Sequence, residues 1–312
     1  MSEQTTHPTA DDVPAAMKAV RLHEDRGAAG LRIDTVPVPT PAADEVLVRV
    51  DAAAITLDEL TWPTDRLPAI PSYEVAGTVV TAPEGSGLAP GDRVFGMTAF
   101  DRDGVAAEYA AVPADRLAAL PDGVDVAEAA ALALPGLTAY QSLVTHGHLE
   151  KGQRALVTGA GGGVGAVAVQ VARELGAAHV VGVASPERAD RVRALGVDEV
   201  VTPDDLPALA PVDVVLDTVG GDRLAAAIRT VREGGRAVSV NEEPPADLVA
   251  AQGIEGIYFV VEPDAEQLAQ LATWAADGSV RVEVASRVPL PDAVSAFESL
   301  EGAGRGKTVL VP

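Results

Sequence analysis

The chain has 312 residues, 47% of them hydrophobic, which is enough apolar material for two packed cores, and it contains no cysteine. Disulfide frameworks, thiolate metal sites and cysteine nucleophiles are therefore excluded. An excess of 46 acidic over 23 basic residues gives a formal charge of −23, which argues against a nucleic-acid partner, because polyphosphate needs cations.

Residues 1–16 (MSEQTTHPTADDVPAA) are polar, acidic and proline-containing, and read as a disordered tail. They lack the basic start and apolar core of a secretory signal, and no run of about eighteen apolar residues occurs in the chain. The expectation is a cytoplasmic protein without a membrane span. From Met17 to about residue 133, short Val-rich runs (MKAVRL, LRIDTV, EVLVRVDAAAI, VAGTVVTA, DRVFGM) alternate with Pro and Gly punctuation. That pattern predicts a compact β-barrel or sandwich. The stretch 126–134 (VAEAAALAL) changes to an Ala-rich helix, which Pro135-Gly136 is expected to interrupt.

From Arg154 onward the pattern becomes strand–helix alternation. ALVTG is a strand, and 164–175 a helix with apolar residues at Val164, Val167, Val171 and Leu175. A second strand spans 179–184, followed by a helix over 187–195 that Gly196 ends. Strands at 212–219, 236–241 and 256–261 follow, with helices at 223–232 and 265–276. Continuous apolar strands between amphipathic helices indicate a doubly wound parallel sheet covered on both faces. Residues 280–312 return to short strand–helix–strand elements. The fold class is therefore α/β, with a nucleotide-binding domain at 136–279 inserted into a β-rich domain made of 17–135 and 280–312.

The strongest motif is LVTGAGGGVGAVAVQVAREL, a glycine-rich turn between a predicted strand and a predicted helix. Gly161-Gly162-Gly163-Val164-Gly165-Ala166 reads as the G-x-G-x-x-A form of a dinucleotide fingerprint. Without Cβ atoms the turn can bring N–H groups close to a pyrophosphate, at the positive end of a helix dipole. No Lys-Ser or Lys-Thr follows the glycines, which excludes a nucleoside-triphosphatase loop. The second strand ends Val183-Ala184-Ser185 without the carboxylate that accepts a ribose 2′-hydroxyl, and Arg188 lies just beyond. A hydroxyl and a guanidinium there favour a 2′-phosphate, hence NADP(H) over NAD.

From Met17 onward the sequence resembles the medium-chain dehydrogenase/reductase superfamily, in its zinc-free quinone oxidoreductase-like branch. The matching stretches are MKAVRL, PGDRVFGM, AAEYAAVPADRLAALP, LPGLTAYQSL, the glycine-loop segment, VDVVLDTVGGD, GGRAVSV and GRGKTVLV, in the family's order. The resemblance implies a GroES-like catalytic domain built from both chain ends around an inserted Rossmann domain. It also implies an active cleft between the two and a homodimer formed through the Rossmann sheet edge. Short-chain dehydrogenases share a related glycine pattern but need Tyr-x-x-x-Lys, and none of the four tyrosines has a lysine four residues on.

Set against zinc-dependent members of that superfamily, Thr56 stands where the first cysteine would be, Tyr73 in the histidine's place and Leu134 near the third position. A carboxylate and a phenol do not make the tetrahedral site that zinc chemistry requires. His146-x-His148 lacks an evident third ligand and reads as a solvated pair. Without a metal, the accessible task is hydride delivery to a quinone or to the β-carbon of an α,β-unsaturated carbonyl, with donors stabilising the developing oxyanion. The hydroxyls of Thr56 and Tyr73 are the candidate donors, and Tyr73 is also a candidate proton source. Trp62 is a candidate wall for a flat conjugated substrate, and Asp58 lies in the same loop. The resemblance further places Thr138, Asn241 and Phe259 along the nicotinamide and its ribose. Pro203 stands where the branch often carries a tyrosine near the adenosine ribose, and Lys307 fits the closing strand as a structural residue. The reading is an NADPH-dependent, zinc-independent reductase of quinones or enones. An enoyl reductase of specialised metabolism and a dinucleotide-binding protein with little catalysis are the alternatives.

Overall fold

The computed structural model describes residues 13–24, 27–56, 59–62, 66–300 and 306–312. Asp58 and most of the amino-terminal tail fall outside the described residues. The Val-rich runs become strands because β-branched side chains suit a pleated, half-buried surface. They are β1 (Ala16–Leu22), β2 (Leu31–Pro37), β3 (Glu45–Ile55), β4 (Glu74–Thr81), β5 (Arg93–Met97), β6 (Tyr109–Pro113) and β7 (Leu117–Ala119). Helix α1 (Val126–Tyr140) leads to β8 (Arg154–Val157), α2 (Gly163–Glu174), β9 (His179–Val183), α3 (Ala189–Ala194) and β10 (Glu199–Val201). Next come β11 (Val212–Asp217), α4 (Gly221–Ile228), β12 (Val231–Ser239), α5 (Ala246–Gln252) and β13 (Glu255–Tyr258). Helix α6 (Ala265–Asp277), β14 (Val284–Pro289), α7 (Ala293–Glu298) and β15 (Lys307–Val311) end the chain.

Two compact units result. One contains 1–134, 263–278 and 282–312, and the other 135–262 and 279–281. The junctions read from sequence, 135/136 and 279/280, differ mainly over α6, which packs on β7 and β5 of the first unit. In that unit a seven-stranded sheet runs β14-β15-β3-β4-β5-β7, with β6 paired to β3, and β1 and β2 form a separate antiparallel ribbon. Its core includes Val20, Val48, Val75, Val94, Phe297 and Leu310. Each such side chain contributes about 1.5–3 kcal/mol by leaving water. Strand β15 lies antiparallel to β3 with Thr308 opposite Ile55, so the end of the chain is set beside residue 56.

The second unit holds a six-stranded sheet, all parallel, in the order β10-β9-β8-β11-β12-β13. Its core includes Leu156, Val181, Val215, Leu224 and Ile228. Strand order reverses between β8 and β11, and ligands of doubly wound sheets bind outside the carboxyl ends of the strands at that reversal.

Some local expectations are corrected. Pro135-Gly136 does not interrupt α1, which continues to Tyr140 and then widens into a π-helical turn over Gln141–His146. The N–H before the proline, on Leu134, donates to the Glu74 carboxylate at 3.2 Å, and the surrounding helix is buried, so packing overrides the break. The helix expected over 187–195 divides into a 3₁₀ turn at Pro186–Arg188 and α3. Helix α5 had no counterpart in the sequence reading. No helix among the described residues is long and apolar enough to cross a membrane.

Candidate active site

The glycine loop leaves β8 at Thr158 and enters α2 with Gly162 as its N-cap. Gly159 adopts φ +60°, a conformation that suits glycine. A Cβ on Gly165 would collide with the Gly159 carbonyl, whereas one on Gly163 would meet nothing. Gly159, by its conformation, and Gly165, by its close approach, are thus the required glycines, with Gly162 midway between them at 3.1 Å from the Gly159 carbonyl were it to carry a Cβ. This shifts the fingerprint read as Gly161 through Ala166. The N–H groups of Gly163 and Val164, in the first turn of α2, have no carbonyl within the helix to bind, the arrangement with which such a turn meets a pyrophosphate, whereas the Gly162 N–H donates to the Gly159 carbonyl at 2.8 Å. A cradle that excludes Cβ atoms fits a dinucleotide.

Beyond β9, Arg188 lays its stem against this loop. A side chain at Gly161 would meet the Arg188 Cδ and Cβ at 3.1 and 3.3 Å. The Arg188 guanidinium takes no partner among the described residues, whereas Arg193 pairs with Asp190 at 2.7 Å. Ser185 donates its hydroxyl to Glu187, which holds that carboxyl below its usual range. Asn241, after β12, donates its amide to the Val219 carbonyl at 2.8 Å. Phe259, after β13, lies 4.3 Å from the His146 ring, centroid to centroid. Thr138 is buried in α1, its carbonyl accepting the Ser142 hydroxyl at 2.6 Å. The His146 ring is thus engaged by an aromatic face, with burial pushing its pKa down and nearby His148 adding to that effect.

In the first unit, two carboxyl groups and one ammonium are buried together. Lys307, the first residue of β15, donates to Glu74 Oε1 at 2.5 Å and to Thr56 Oγ1 at 2.7 Å. Thr56 in turn donates its only hydroxyl proton to Glu74 Oε1 at 3.0 Å. Glu59 accepts the N–H of Thr56 at 3.0 Å and that of Ser72 at 2.9 Å. Burial pushes the Glu59 carboxyl up to about 8; the Thr56 N–H and Lys307 oppose this and nearby Glu74 reinforces it. Burial also raises Glu74, against the pull of Lys307, Thr56 and the Leu134 N–H. The simplest neutral arrangement near pH 7 is therefore an ionised Glu74 facing Lys307, with Glu59 protonated.

Tyr73 sits between these carboxyls in sequence and is 8% exposed. Ser72 before it adopts φ +65°, a strained conformation for a non-glycine residue, held by its hydroxyl on the Ala54 carbonyl at 2.8 Å and by Glu59. The Tyr73 ring stacks on Trp62 at 5.8 Å and meets the edge of Phe100 at 5.0 Å. Trp62 and Phe100 pack at 4.8 Å, completing a three-ring cluster in a chain with only 3% aromatic residues. The Tyr73 hydroxyl has no partner among the described residues. Burial, and then the Glu59 charge, push its pKa up, so the phenol stays protonated and available as a donor.

These residues do not fit a zinc ion. Thr56 is already committed to Lys307 and Glu74, Leu134 has no side-chain donor, and an ammonium holds the nearest carboxylate. No group of three metal-binding side chains occurs among the described residues. The sequence reading missed Glu74 and Phe100 as parts of this site and took Lys307 as structural only. A legible signal did exist: Glu74 and Lys307 each open an otherwise apolar strand, EVAGTVVT and KTVLV.

Residues 42–122 match the family described as alcohol dehydrogenase GroES-like domain, and residues 195–310 the family described as zinc-binding dehydrogenase. A protein of Arthroderma benhamiae named "Probable zinc-binding oxidoreductase, mitochondrial" is 32% identical, the match covering 93% of this chain and 95% of that protein. The "NADPH-dependent alkenal/one oxidoreductase, chloroplastic" of Arabidopsis thaliana is 32% identical over 97% of this chain and 82% of its own. Among solved structures, the quinone oxidoreductase from Coxiella burnetii superposes with a TM-score of 0.86 at 26% identity, covering 95% of this chain and 99% of that one.

Proposed function

This chain belongs to the medium-chain dehydrogenase/reductase superfamily, quinone-oxidoreductase-like, and from that premise we propose that it reduces quinones or α,β-unsaturated carbonyls with NADPH, without zinc. The observation that carries the proposal is the Tyr73 phenol: desolvated, protonated, set in an aromatic cluster and without a hydrogen-bond partner among the described residues.

A dinucleotide held on the glycine loop would supply a hydride to the substrate's electron-poor carbon. The main-chain N–H groups of Gly163 and Val164 would bind its pyrophosphate, at the positive end of α2. Arg188, whose stem lies against Gly161 and whose guanidinium has no partner among the described residues, would take a 2′-phosphate and Ser185 would line the same place. Two observations pull toward NAD: Pro203 in place of a tyrosine, and the Glu187 carboxylate beside Ser185. The guanidinium outweighs them because a fixed cation meets a dianion in a charge-assisted, bidentate contact.

As negative charge builds on the substrate's carbonyl oxygen, Tyr73 donates a hydrogen bond to it and supplies the proton that completes the reduction. Trp62 and Phe100 hold the phenol's ring in place and favour flat conjugated substrates. The Thr56 hydroxyl, spent on Glu74, holds Lys307 rather than contacting substrate. The chain would work in the cytoplasm as a homodimer joined through β13, one of the sheet's edge strands, where Tyr258, its last residue, is 41% exposed and Val260, just beyond it, 57%.

Consumption of NADPH and of NADH with a panel of quinones and enones, for wild type and Arg188→Ala, tests the proposal. Turnover with NADPH that Arg188→Ala weakens selectively is the expected result. Tight nucleotide binding with no turnover on any acceptor would contradict it and favour a binding protein.

A further inference from the structure

At the carboxyl end of β11, Asp217 is fully buried and receives four donors. They are the Thr158 hydroxyl at 2.6 Å, the N–H groups of Gly220 at 2.7 Å and Val219 at 3.2 Å, and the Ser239 hydroxyl at 3.4 Å. No cationic side chain pairs with it among the described residues. A carboxylate taken out of water is costly unless hydrogen-bonded throughout, and a fold needing only stability would place an apolar side chain there.

The donors identify what the carboxylate organises. Thr158 is the residue from which β8 turns into the glycine loop, and its hydroxyl also accepts the Thr218 N–H at 3.0 Å. Thr218 donates back to the Thr158 carbonyl at 2.9 Å, and a Cβ on Gly159 would run into the Thr218 hydroxyl. Ser239 ends β12, and its hydroxyl accepts the N–H groups of Asn241 at 3.3 Å and Glu242 at 3.4 Å. Glu242 in turn accepts the Gly221 N–H at 2.6 Å, and Asn241 binds the Val219 carbonyl. The loops after β8, β11 and β12 are thereby cross-linked at the end of the sheet where strand order reverses. Fully satisfied buried networks of this kind select one arrangement over near alternatives.

We infer that Asp217 is a positioning residue for the dinucleotide, its carboxylate fixing the glycine loop, the 218–221 turn and Asn241 in one mutual arrangement. The inference rests on the nucleotide-binding reading above. Asn cannot accept from every donor that Asp217 serves, because its amide presents N–H groups to at least one of them.

Calorimetric titration of the full chain with NADPH, thermal melts and steady-state kinetics on wild type, Asp217→Asn and Ser239→Ala provide the test. In Asp217→Asn the NADPH Kd should rise about tenfold or more, while kcat at saturating NADPH and KM for the quinone change little. Ser239→Ala, which removes one of the four donors to Asp217 and unties Asn241 and Glu242, should move Kd in the same direction by less. An NADPH Kd within about twofold of wild type in both variants, with a lowered Tm, would overturn the inference and leave Asp217 a stabiliser of the fold. If Asp217→Asn does not fold, Thr158→Val and Ser239→Ala decide by the same criterion. Wild-type protein that binds neither nucleotide would overturn the nucleotide reading itself, a result distinct from unchanged binding in the variants.

Discussion

At the glycine loop of the second unit the proposed binding groups are main-chain atoms, and side chains matter there mostly by being absent. In the first unit the proposed site is made chiefly of side chains, drawn from places far apart in the chain: Glu74 and Lys307 are 233 residues apart, Thr56 and Lys307 are 251. The two regions therefore fail in different ways. A loop of backbone donors is spoiled by adding atoms, whereas a buried charge cluster is spoiled by removing one partner and leaving the other unpaired.

The largest expected effect follows from that asymmetry. Lys307→Met leaves Glu74 buried without its cation and should cost about 3–5 kcal/mol in urea unfolding. Adding Glu74→Gln should return part of the loss, because two neutral groups avoid the stranded charge. A Lys307→Met penalty below about 1 kcal/mol would show that the pair behaves as an exposed one.

Smaller in energy but central to the chemistry is the donor. Tyr73→Phe keeps the contacts with Trp62 and Phe100 while deleting the only unpaired hydroxyl of that cluster. Its kcat should drop about a hundredfold with NADPH affinity unchanged, the usual size for one oxyanion donor. An unchanged kcat would remove Tyr73 from the reaction.

The smallest effect is read from pH. Glu59 has a folded pKa of about 8 against an ordinary carboxylate value of 4.5. Its folded form thus holds a proton that the unfolded chain has released. The resulting stabilisation is complete below about pH 4.5 and is lost as pH rises through about 8. Glu59→Gln removes that dependence, so its melting temperature should gain on wild type between about pH 5 and about pH 9. Parallel curves for the two proteins would mean that Glu59 is ionised throughout.

The contrast between the regions also explains what could be read in advance. The parallel sheet and its loop are local in sequence: strand, glycines and helix follow one another within 154–174, so periodicity and a short motif suffice. The register of the fingerprint was less legible, since five glycines within 159–165 allow two frames, which the positive φ of Gly159 and the approach of Gly165 to it separate. Continuity of α1 through Pro135 comes from tertiary packing: the helix is buried, and Glu74, 60 residues away, accepts the neighbouring Leu134 N–H. The Glu59, Glu74 and Lys307 cluster needs the pairing of β15 on β3, a contact no local pattern encodes. Thr56 shows the limit most clearly. Its position suggested a donor to substrate, but the proton of its hydroxyl is already given to Glu74.

The proposed reduction is carried by the chain's own donors, in a site whose cation is the Lys307 ammonium. Enzyme treated with a strong chelator, verified free of metal by mass spectrometry and assayed with NADPH and a reducible quinone or enone tests it most directly. Undiminished kcat, unaffected by added zinc, is the predicted result. Activity that vanishes on chelation and returns with zinc would contradict the account.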